Sequence, residues 1–365
     1  MRISHLTINN FRNLKKIDFA PDRAINIFCG ANAQGKTNLL EAIYVLSAGS
    51  SFRSSNDKQL INYDAVRYHI QASYSYQERD FTSSLSFSNN NKIFIVNNKK
   101  TSSHNQHRLK VVLFNPDDLF LIKGSPAKRR SLIDFVLQQL SAEYTISLAN
   151  YVKILKKRNL LLKKEQTNQK SFAIIDQLFI ESAVSVIIQR INFINRLDEE
   201  TALLFKEINA AGNQLKIRYA LSFPVESDKI NLNILSKAMQ DHLQHIFPEE
   251  IKRRQSLIGP HVDDINFYLD GRPAKIYASQ GQQRNIVICL KLAEIYTFKK
   301  IKGYYPIFLL DEVLAELDEE KRNLLLEHLQ KAEFQSFLSS VNFNPPPDFD
   351  AAIYTVANGN LLGKE

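Results

Sequence analysis

The sequence predicts an α/β domain assembled from both ends of the chain, with a helical arm inserted between them. Three observations point there. A strand-like run, a glycine turn and a helix-like stretch follow one another within residues 24–46. Residues 127–211 contain no Gly or Pro, although the chain holds eleven of each. Strand character then returns after Gly259-Pro260. The expected divisions are residues 1–123 for the first part of the α/β domain, 124–254 for the arm, and 255–365 for the second part.

In order, Ile3, Leu6 and Ile8 lead into Phe11 as a first strand, residues 17–19 form a second, and residues 24–29 a third that runs into the glycine turn. Residues 38–46 have helical composition. β-rich segments alternate with Ser/Asn clusters over 68–96, which predicts a meander on one side of the sheet. In the arm, Ile187, Ile191 and Ile194 show helical spacing. The absence of a sustained heptad favours several antiparallel helices over one coiled coil, and Gly212 is placed to stop one of them. Residues 265–269 reach Asp270-Gly271, a hairpin signal. A helix over 284–298, an apolar strand over 307–310, a triple-proline loop at 345–347 and a hairpin around Asn358-Gly359 complete the chain.

A length of 365 residues allows about two domains, and 44% hydrophobic with 23% charged residues is an ordinary soluble composition. No run approaches the roughly 20 uninterrupted apolar residues of a membrane span, and the N-terminus lacks a signal-peptide core. Cys29 and Cys289 have no metal-ligand spacing, so a reducing cytoplasm is expected and a disulfide framework is not. The 47 basic against 38 acidic residues, net +9, favour a polyanionic partner such as nucleic acid. An inert basic surface fits the charge as well.

Gly30-Ala31-Asn32-Ala33-Gln34-Gly35-Lys36-Thr37 is a complete Walker A pattern. Its glycines let backbone N–H groups and the following helix N-terminus face a phosphate. Lys36 is placed to reach the β- and γ-phosphates and Thr37 to ligate Mg²⁺. Chance produces this pattern in roughly one chain of this length in a hundred. The apolar run Ile307-Phe308-Leu309-Leu310 delivers Asp311 to the same Mg²⁺, as a Walker B acid does, and sets Glu312 where a carboxylate can act on the attacking water. Four apolar residues before two acids mean little alone; paired with the loop they complete an ATP site. Ser279-Gln280-Gly281-Gln282-Gln283 alone reads as a polar helix cap, but in this order of motifs it resembles the ABC signature, which serves the ATP of a partner subunit. Ala315-Glu316-Leu317-Asp318 matches the ABC D-loop.

These motifs, with several others, carry a resemblance to the RecF family over nearly the whole chain. The markers are Asn10-Phe11-Arg12-Asn13, the extension Lys36-Thr37-Asn38-Leu39-Leu40-Glu41-Ala42-Ile43, Ser51-Phe52-Arg53, Lys123-Gly124-Ser125-Pro126 with Arg129-Arg130, Gly259-Pro260-His261, Ser279-Gln280-Gly281-Gln282-Gln283-Arg284, and Asp311-Glu312-Val313-Leu314 before Glu316-Leu317-Asp318. The resemblance implies an ABC/SMC-type P-loop ATPase head with the arm as second lobe. It implies ATP and Mg²⁺ as cofactors: ATP at residues 30–38 (Asn38 included) and, from a second copy, at Ser279, Gly281 and Gln282; Mg²⁺ at Thr37 and Asp311. Lys36, Glu312 and Ser279 are the catalytic candidates. It further implies an ATP-dependent homodimer on single-stranded and gapped duplex DNA, weak DNA-stimulated ATP hydrolysis, a role in repair, replication and the SOS response, and work with RecR, RecO and RecA in a cytoplasmic, nucleoid-associated setting without a membrane.

The chain departs from the family pattern at Val262, where Arg is usual, and at Asn285, where Thr is usual. Residues 334–340 hold no counterpart of the transporter histidine switch, which weighs against a transporter subunit. A fused nuclease would need a further acidic metal cluster, and none is evident. An ATP-binding scaffold without useful hydrolysis is disfavoured by intact Lys36, Asp311 and Glu312. Lys153, Lys156, Lys157, Arg158, Lys163 and Lys164 form either a phosphate-binding cluster or a solvated helix face. Arg53, Lys123, Arg129 and Arg130 can meet ATP, DNA or neighbouring carboxylates; the sequence does not choose among these.

Overall fold

The computed structural model describes residues 1–102, 105–164, 169–208, 212–227 and 229–364, with backbone only at 169–171 and 364. Packing divides it into two compact units, Met1–Phe120 with Arg284–Glu365, and Leu121–Gln283. The first unit opens with β1 (Arg2–Phe11), β2 (Leu14–Phe19), β3 (Ile25–Cys29), α1 (Lys36–Ala48), β4 (Arg67–Tyr76), β5 (Arg79–Ser88), β6 (Asn91–Val96), β7 (Lys99–Thr101) and β8 (Val111–Phe114). The second unit holds α2 (Pro126–Leu140), α3 (Ala142–Leu162), α4 (Gln169–Ile208), β9 (Leu215–Ala220), α5 (Leu232–Arg253), β10 (Asp264–Leu269), β11 (Arg272–Pro273) and α6 (Ala274–Tyr277). Helix α7 (Gln280–Lys302) leads back to the first unit, which ends with β12 (Ile307–Asp311), α8 (Val313–Glu316), α9 (Glu319–Lys331), β13 (Ser336–Ser340), β14 (Ala351–Ala357) and β15 (Asn360–Lys364).

The first unit is built on two six-stranded sheets. One, ordered β15-β14-β3-β13-β12-β8, is parallel except for the antiparallel edge strand β15. Every residue of β8, β12 and β13 is buried, which is why β8 and β12 read as near-continuous apolar runs rather than alternating ones, whereas β13 buries three serines. Strand β3 lies between β13 and β14, so the α/β domain does join the two chain ends. The other sheet, β2-β1-β4-β5-β6-β7, is antiparallel. The meander expected beside the first sheet instead extends β1. The odd spacing of Ile3 and Leu6, both buried, follows from a bulge between Ile3 and His5, and that of Ile8 and Phe11 from Asn10 at φ 57.

The second unit is not purely helical. Helix α4 runs for 40 residues and packs on α3, β9 and α5, burying Phe179, Ala183, Ile187 and Ile194. By length and composition alone, its part from Phe172 to Ile208 would also pass for a membrane span. Gly212 takes φ 71, but residues 209–211 before it lie outside the described residues, so its role as a helix stop is not seen. Strand β9 pairs antiparallel with β10, and β10 turns through Asp270 (φ 50) and Gly271 (φ 74) into β11. That pairing corrects the expected second boundary. Residues 255–283, expected in the α/β domain, belong to the second unit because β10 hydrogen-bonds along β9. The unit boundaries thus fall at 120/121 and 283/284, against 123/124 and 254/255.

Candidate functional site

The glycine loop between β3 and α1 is held from behind by the C-terminal hairpin. Gln34 is engaged twice: its carbonyl accepts from Gly359 N at 2.9 Å and its Oε1 from Asn358 N at 2.6 Å. Gly30 passes so close to β14 that a Cβ there would meet Val356 O at 2.3 Å, so no side chain fits. Gly35, at φ 114, is the N-cap of α1 and offers no side-chain oxygen to the first-turn N–H groups. No N-cap side chain therefore competes for those donors, which with the helix N-terminus are suited to an anion. Lys36 is buried, its Nζ 2.9 Å from Ala31 O and 3.2 Å from Glu312 Oε1. The buried ammonium group is thus paired with a carboxylate and a carbonyl, as an enclosed cation requires.

Strand β12 brings the two acids to this loop. Thr37 Oγ1 donates to Asp311 Oδ1 at 2.7 Å, and Ser339 Oγ donates to the same oxygen at 2.8 Å. Ser339 Oγ also accepts from Glu312 N at 2.9 Å, so one hydroxyl on the neighbouring strand β13 fixes both acidic positions. Burial raises the Asp311 pKa, opposed by the Thr37 and Ser339 hydrogen bonds; Glu312 nearby raises it further and Arg53 lowers it. Two oxygens bound cis to an octahedral ion at about 2.0–2.1 Å stand about 2.8–3.0 Å apart. The Thr37–Asp311 pair fits Mg²⁺, whose charge would hold Asp311 ionised. Among the described residues no further group of three or more His, Cys, Asp or Glu could hold a metal. Glu312 adopts φ 54, a left-handed conformation that costs a non-glycine residue about 1–3 kcal/mol.

An open cleft of about 970 Å³ runs from the loop to residues 58–65. Three of the sequence markers that had no assigned place, at 10–13, 38–41 and 51–53, meet beside it. Arg12 donates Nε and Nη2 to the two oxygens of Glu41 at 3.0 and 2.8 Å, and Glu41 is wholly buried. Ser51 Oγ donates to Glu41 as well. Asn38 Nδ2 donates to Asn13 Oδ1 at 2.8 Å, and Arg53 Nη1 to Asn38 Oδ1 at 3.0 Å. Arg53 thus faces the cleft, 3.7 Å from Glu41. Four separate segments, 10–13, 38–41, 51–53 and 58–62, are knitted here around one buried carboxylate. Sequence reading missed Ser339, Asn358 and Gly359. The first hides in the serine-rich strand 336–340, and the other two signalled only a turn.

The remaining candidates lie elsewhere. Ser279 caps α7: its Oγ accepts from Gln282 N at 3.2 Å while Gln282 Oε1 accepts from Ser279 N at 2.9 Å, a reciprocal capping box. Ser279 is exposed, with Gly281 and Gln282 half-buried. Asp318 caps α9 through Lys321 N at 3.0 Å, and Glu316 is exposed. In the second unit Arg129 is committed to Asp264 through two hydrogen bonds of 2.8 Å, and Arg130 donates to Asp263 O at 2.7 Å. Arg158 does not belong to a surface cluster. It is fully buried, bonded to Glu250 (2.6 Å), Asp176 (2.7 Å) and Ser256 (2.7 Å). Lys153, Lys156, Lys157, Lys163 and Lys164 remain exposed. Val262 is exposed too, whereas His261 beside it is engaged by Tyr151 at 2.5 Å.

The family model described as "RecF/RecN/SMC N terminal domain" matches residues 2–356. Two proteins called "DNA replication and repair protein RecF" are each 36% identical to this chain: that of Heliobacterium modesticaldum covers 99% of both chains, and that of Bacillus velezensis covers 99% of this one and 100% of its own. A solved structure of "the recombination mediator protein RecF-ATP in RecFOR pathway" superposes with a TM-score of 0.89 at 29% identity, over 100% of this chain and 97% of that one. An Smc head domain from Pyrococcus furiosus, at 16% identity and TM-score 0.51 over 99% and 95% of the chains, shares the fold alone. Full-length likeness in sequence and structure shows the family, and three of the N-terminal markers meet at the cleft: the chain belongs to the RecF family.

Proposed function

We propose that this chain is an ATP-dependent DNA-binding protein of recombinational repair and replication restart, in which ATP joins two heads on DNA and is hydrolysed slowly. One observation carries the reading: Thr37 and Asp311, far apart in sequence, meet at 2.7 Å beside the Lys36–Glu312 pair. In this reading residues 30–38 wrap the phosphates, and Lys36 leaves Glu312 for the β- and γ-phosphate oxygens. Glu312, half-exposed and then released, orients and deprotonates the attacking water. Thr37 and Asp311 hold Mg²⁺, which supplies neutralisation of phosphate charge. Ser279, Gly281 and Gln282 serve the ATP of the second copy. The exposed arm lysines meet DNA phosphates, single-stranded or gapped, without base preference. RecR, RecO and RecA are the proposed partners, at a cytoplasmic, nucleoid-associated site, a reading supported by the RecFOR pathway of the solved relative.

The test is the mass in solution with and without Mg-ATP and gapped DNA. The chain weighs 41.9 kDa, and a doubled protein mass is expected with Mg-ATP and DNA together. A protein that stays monomeric in every condition overturns the clamp. The Ser279–Gln282 capping box favours a second reading for that residue alone, a plain helix cap with no part in the partner's site.

A further inference from the structure

A loop that binds phosphate through backbone N–H groups has to keep its shape while empty, and the stretch between β3 and α1 has little packing of its own. Ala31, Asn32 and Ala33 are exposed, and Ala33 takes φ 64, a left-handed conformation that a residue with a Cβ does not favour. Helix α1 fixes the chain only from Lys36 onward. Before that, the C-terminal strands hold the loop from behind at two points. Gly30 lies against Val356 of β14, and Gln34 meets the turn between β14 and β15 through both its carbonyl and its side chain. That turn is itself wedged in place, since a Cβ on Gly359 would lie 2.2 Å from Asn13 O in the β1–β2 connection. Asn13 reaches back to the loop, its Nδ2 donating to Ala33 O at 3.4 Å. The Walker A pattern leaves the residue before its second glycine open, so phosphate does not require a glutamine at 34. Its side chain answers to the hairpin instead, with Oε1 accepting from Asn358 N at 2.6 Å.

We propose that Gln34 is a positioning residue whose side-chain hook on the Asn358–Gly359 turn keeps the empty loop in the shape that phosphate needs. This rests on the ATP-binding reading above and adds the C-terminal hairpin to the nucleotide site. In that reading the backbone of residue 34 faces phosphate while its side chain faces the hairpin. Without the hook, residues 31–34 relax before binding, and the cost of re-ordering them weakens every phosphate ligand alike. The chemical step belongs to Lys36, Thr37, Asp311 and Glu312 and is left as it is.

The experiment uses the full chain with Mg-ATP and Mg-tripolyphosphate as probes. Gln34→Met keeps the reach of the side chain and the backbone bond to Gly359 but removes the acceptor. It should weaken both probes by about fivefold, the worth of one hydrogen bond, and raise KM in proportion while kcat holds. Gly359→Ala attacks the hook from the hairpin side. Combined with Gln34→Met, its loss of affinity should be less than additive, because both variants remove one contact. Should Gly359→Ala fail to fold, Gln34→Met decides alone. Unchanged affinity in Gln34→Met overturns the proposal, and so does a lowered thermal midpoint with affinity intact, which would leave the hairpin a stabilising element only. A fall in kcat at constant KM overturns it by placing Gln34 in the chemistry, and a loss confined to Mg-ATP overturns it because the phosphates would not be involved. Additive losses in the double variant separate Gln34 from the hairpin and overturn it as well. Lys36→Met must weaken both probes; if it weakens neither, the phosphate-site reading itself fails, whatever Gln34→Met does.

Discussion

Ser339 is a small side chain that holds both acidic positions of the site: it donates to Asp311 and accepts from the backbone of Glu312. Ser339→Ala removes one of the two side-chain hydrogen bonds that lower the Asp311 pKa and keeps the one from Thr37. The acid limb of the Mg²⁺-dependent ATPase profile should shift to higher pH, and the Mg²⁺ needed for half-maximal rate should rise severalfold. An unmoved profile would mean Ser339 serves only the strand. Glu294, buried in α7, carries a different pH dependence. Burial raises its pKa to about 7, with Lys291 lowering and Asp118 raising it. A carboxyl whose folded pKa lies above its unfolded value holds a proton that the unfolded chain releases. Stability is therefore lost as pH rises from the unfolded pKa to about 7, and the loss is complete above that. Glu294→Gln should raise the thermal midpoint over wild type by more at about pH 8 than at about pH 5; equal gains would rule out the titration of Glu294 as the cause.

At the scale of elements, helix α3 separates two kinds of basic residue that look alike in sequence. Lys153, Lys156 and Lys157 are exposed, while Arg158 is fully buried with its guanidinium 4.8 Å from the Phe179 ring. Arg158→Ala strands Glu250, itself wholly buried, and removal of one partner from such a pair costs about 3–5 kcal/mol. Its midpoint in denaturant should fall accordingly, and a fall under about 1 kcal/mol would show that the network relaxes. Replacing Lys153, Lys156 and Lys157 together with Gln should leave stability unchanged. If these lysines meet duplex phosphates, the slope of log K against log salt should shrink by about 0.9 for each phosphate no longer neutralised. A constant slope makes them a solvated face. The apolar periodicity of 127–211 made the helices of the arm legible, and only packing revealed which cations lie inside.

For the whole molecule, the proposed composite site makes opposed predictions for two residues. Glu312→Gln keeps Lys36, Thr37 and Asp311 but removes the base, so ATP still binds and the ATP-bound dimer should accumulate while hydrolysis falls by about a hundredfold or more. Ser279→Arg brings bulk and charge to the exposed start of α7. It should leave ATP binding by the monomer nearly intact and abolish ATP-driven dimers in a mass measurement. Normal dimers in that variant return Ser279 to the capping box it already forms with Gln282.

The sequence by itself determined which residues form the candidate phosphate loop, because such a loop uses glycines, a lysine and a hydroxyl in consecutive order. That order, Gly30 to Thr37, survives in the linear chain. The buried parallel strand of Asp311 was legible for a similar reason, since a strand covered on both faces tends to a near-continuous apolar run, as Ile307 to Leu310 is. What packs against what was decided only by the tertiary structure. Strand β13 between β3 and β12, the hairpin turn behind Gln34, the pairing of β10 with β9 and the burial of Arg158 all join segments distant in sequence. Such partners leave no local signal. A serine that aligns two acids and a serine on a surface are the same letter until the strands that flank them are in register.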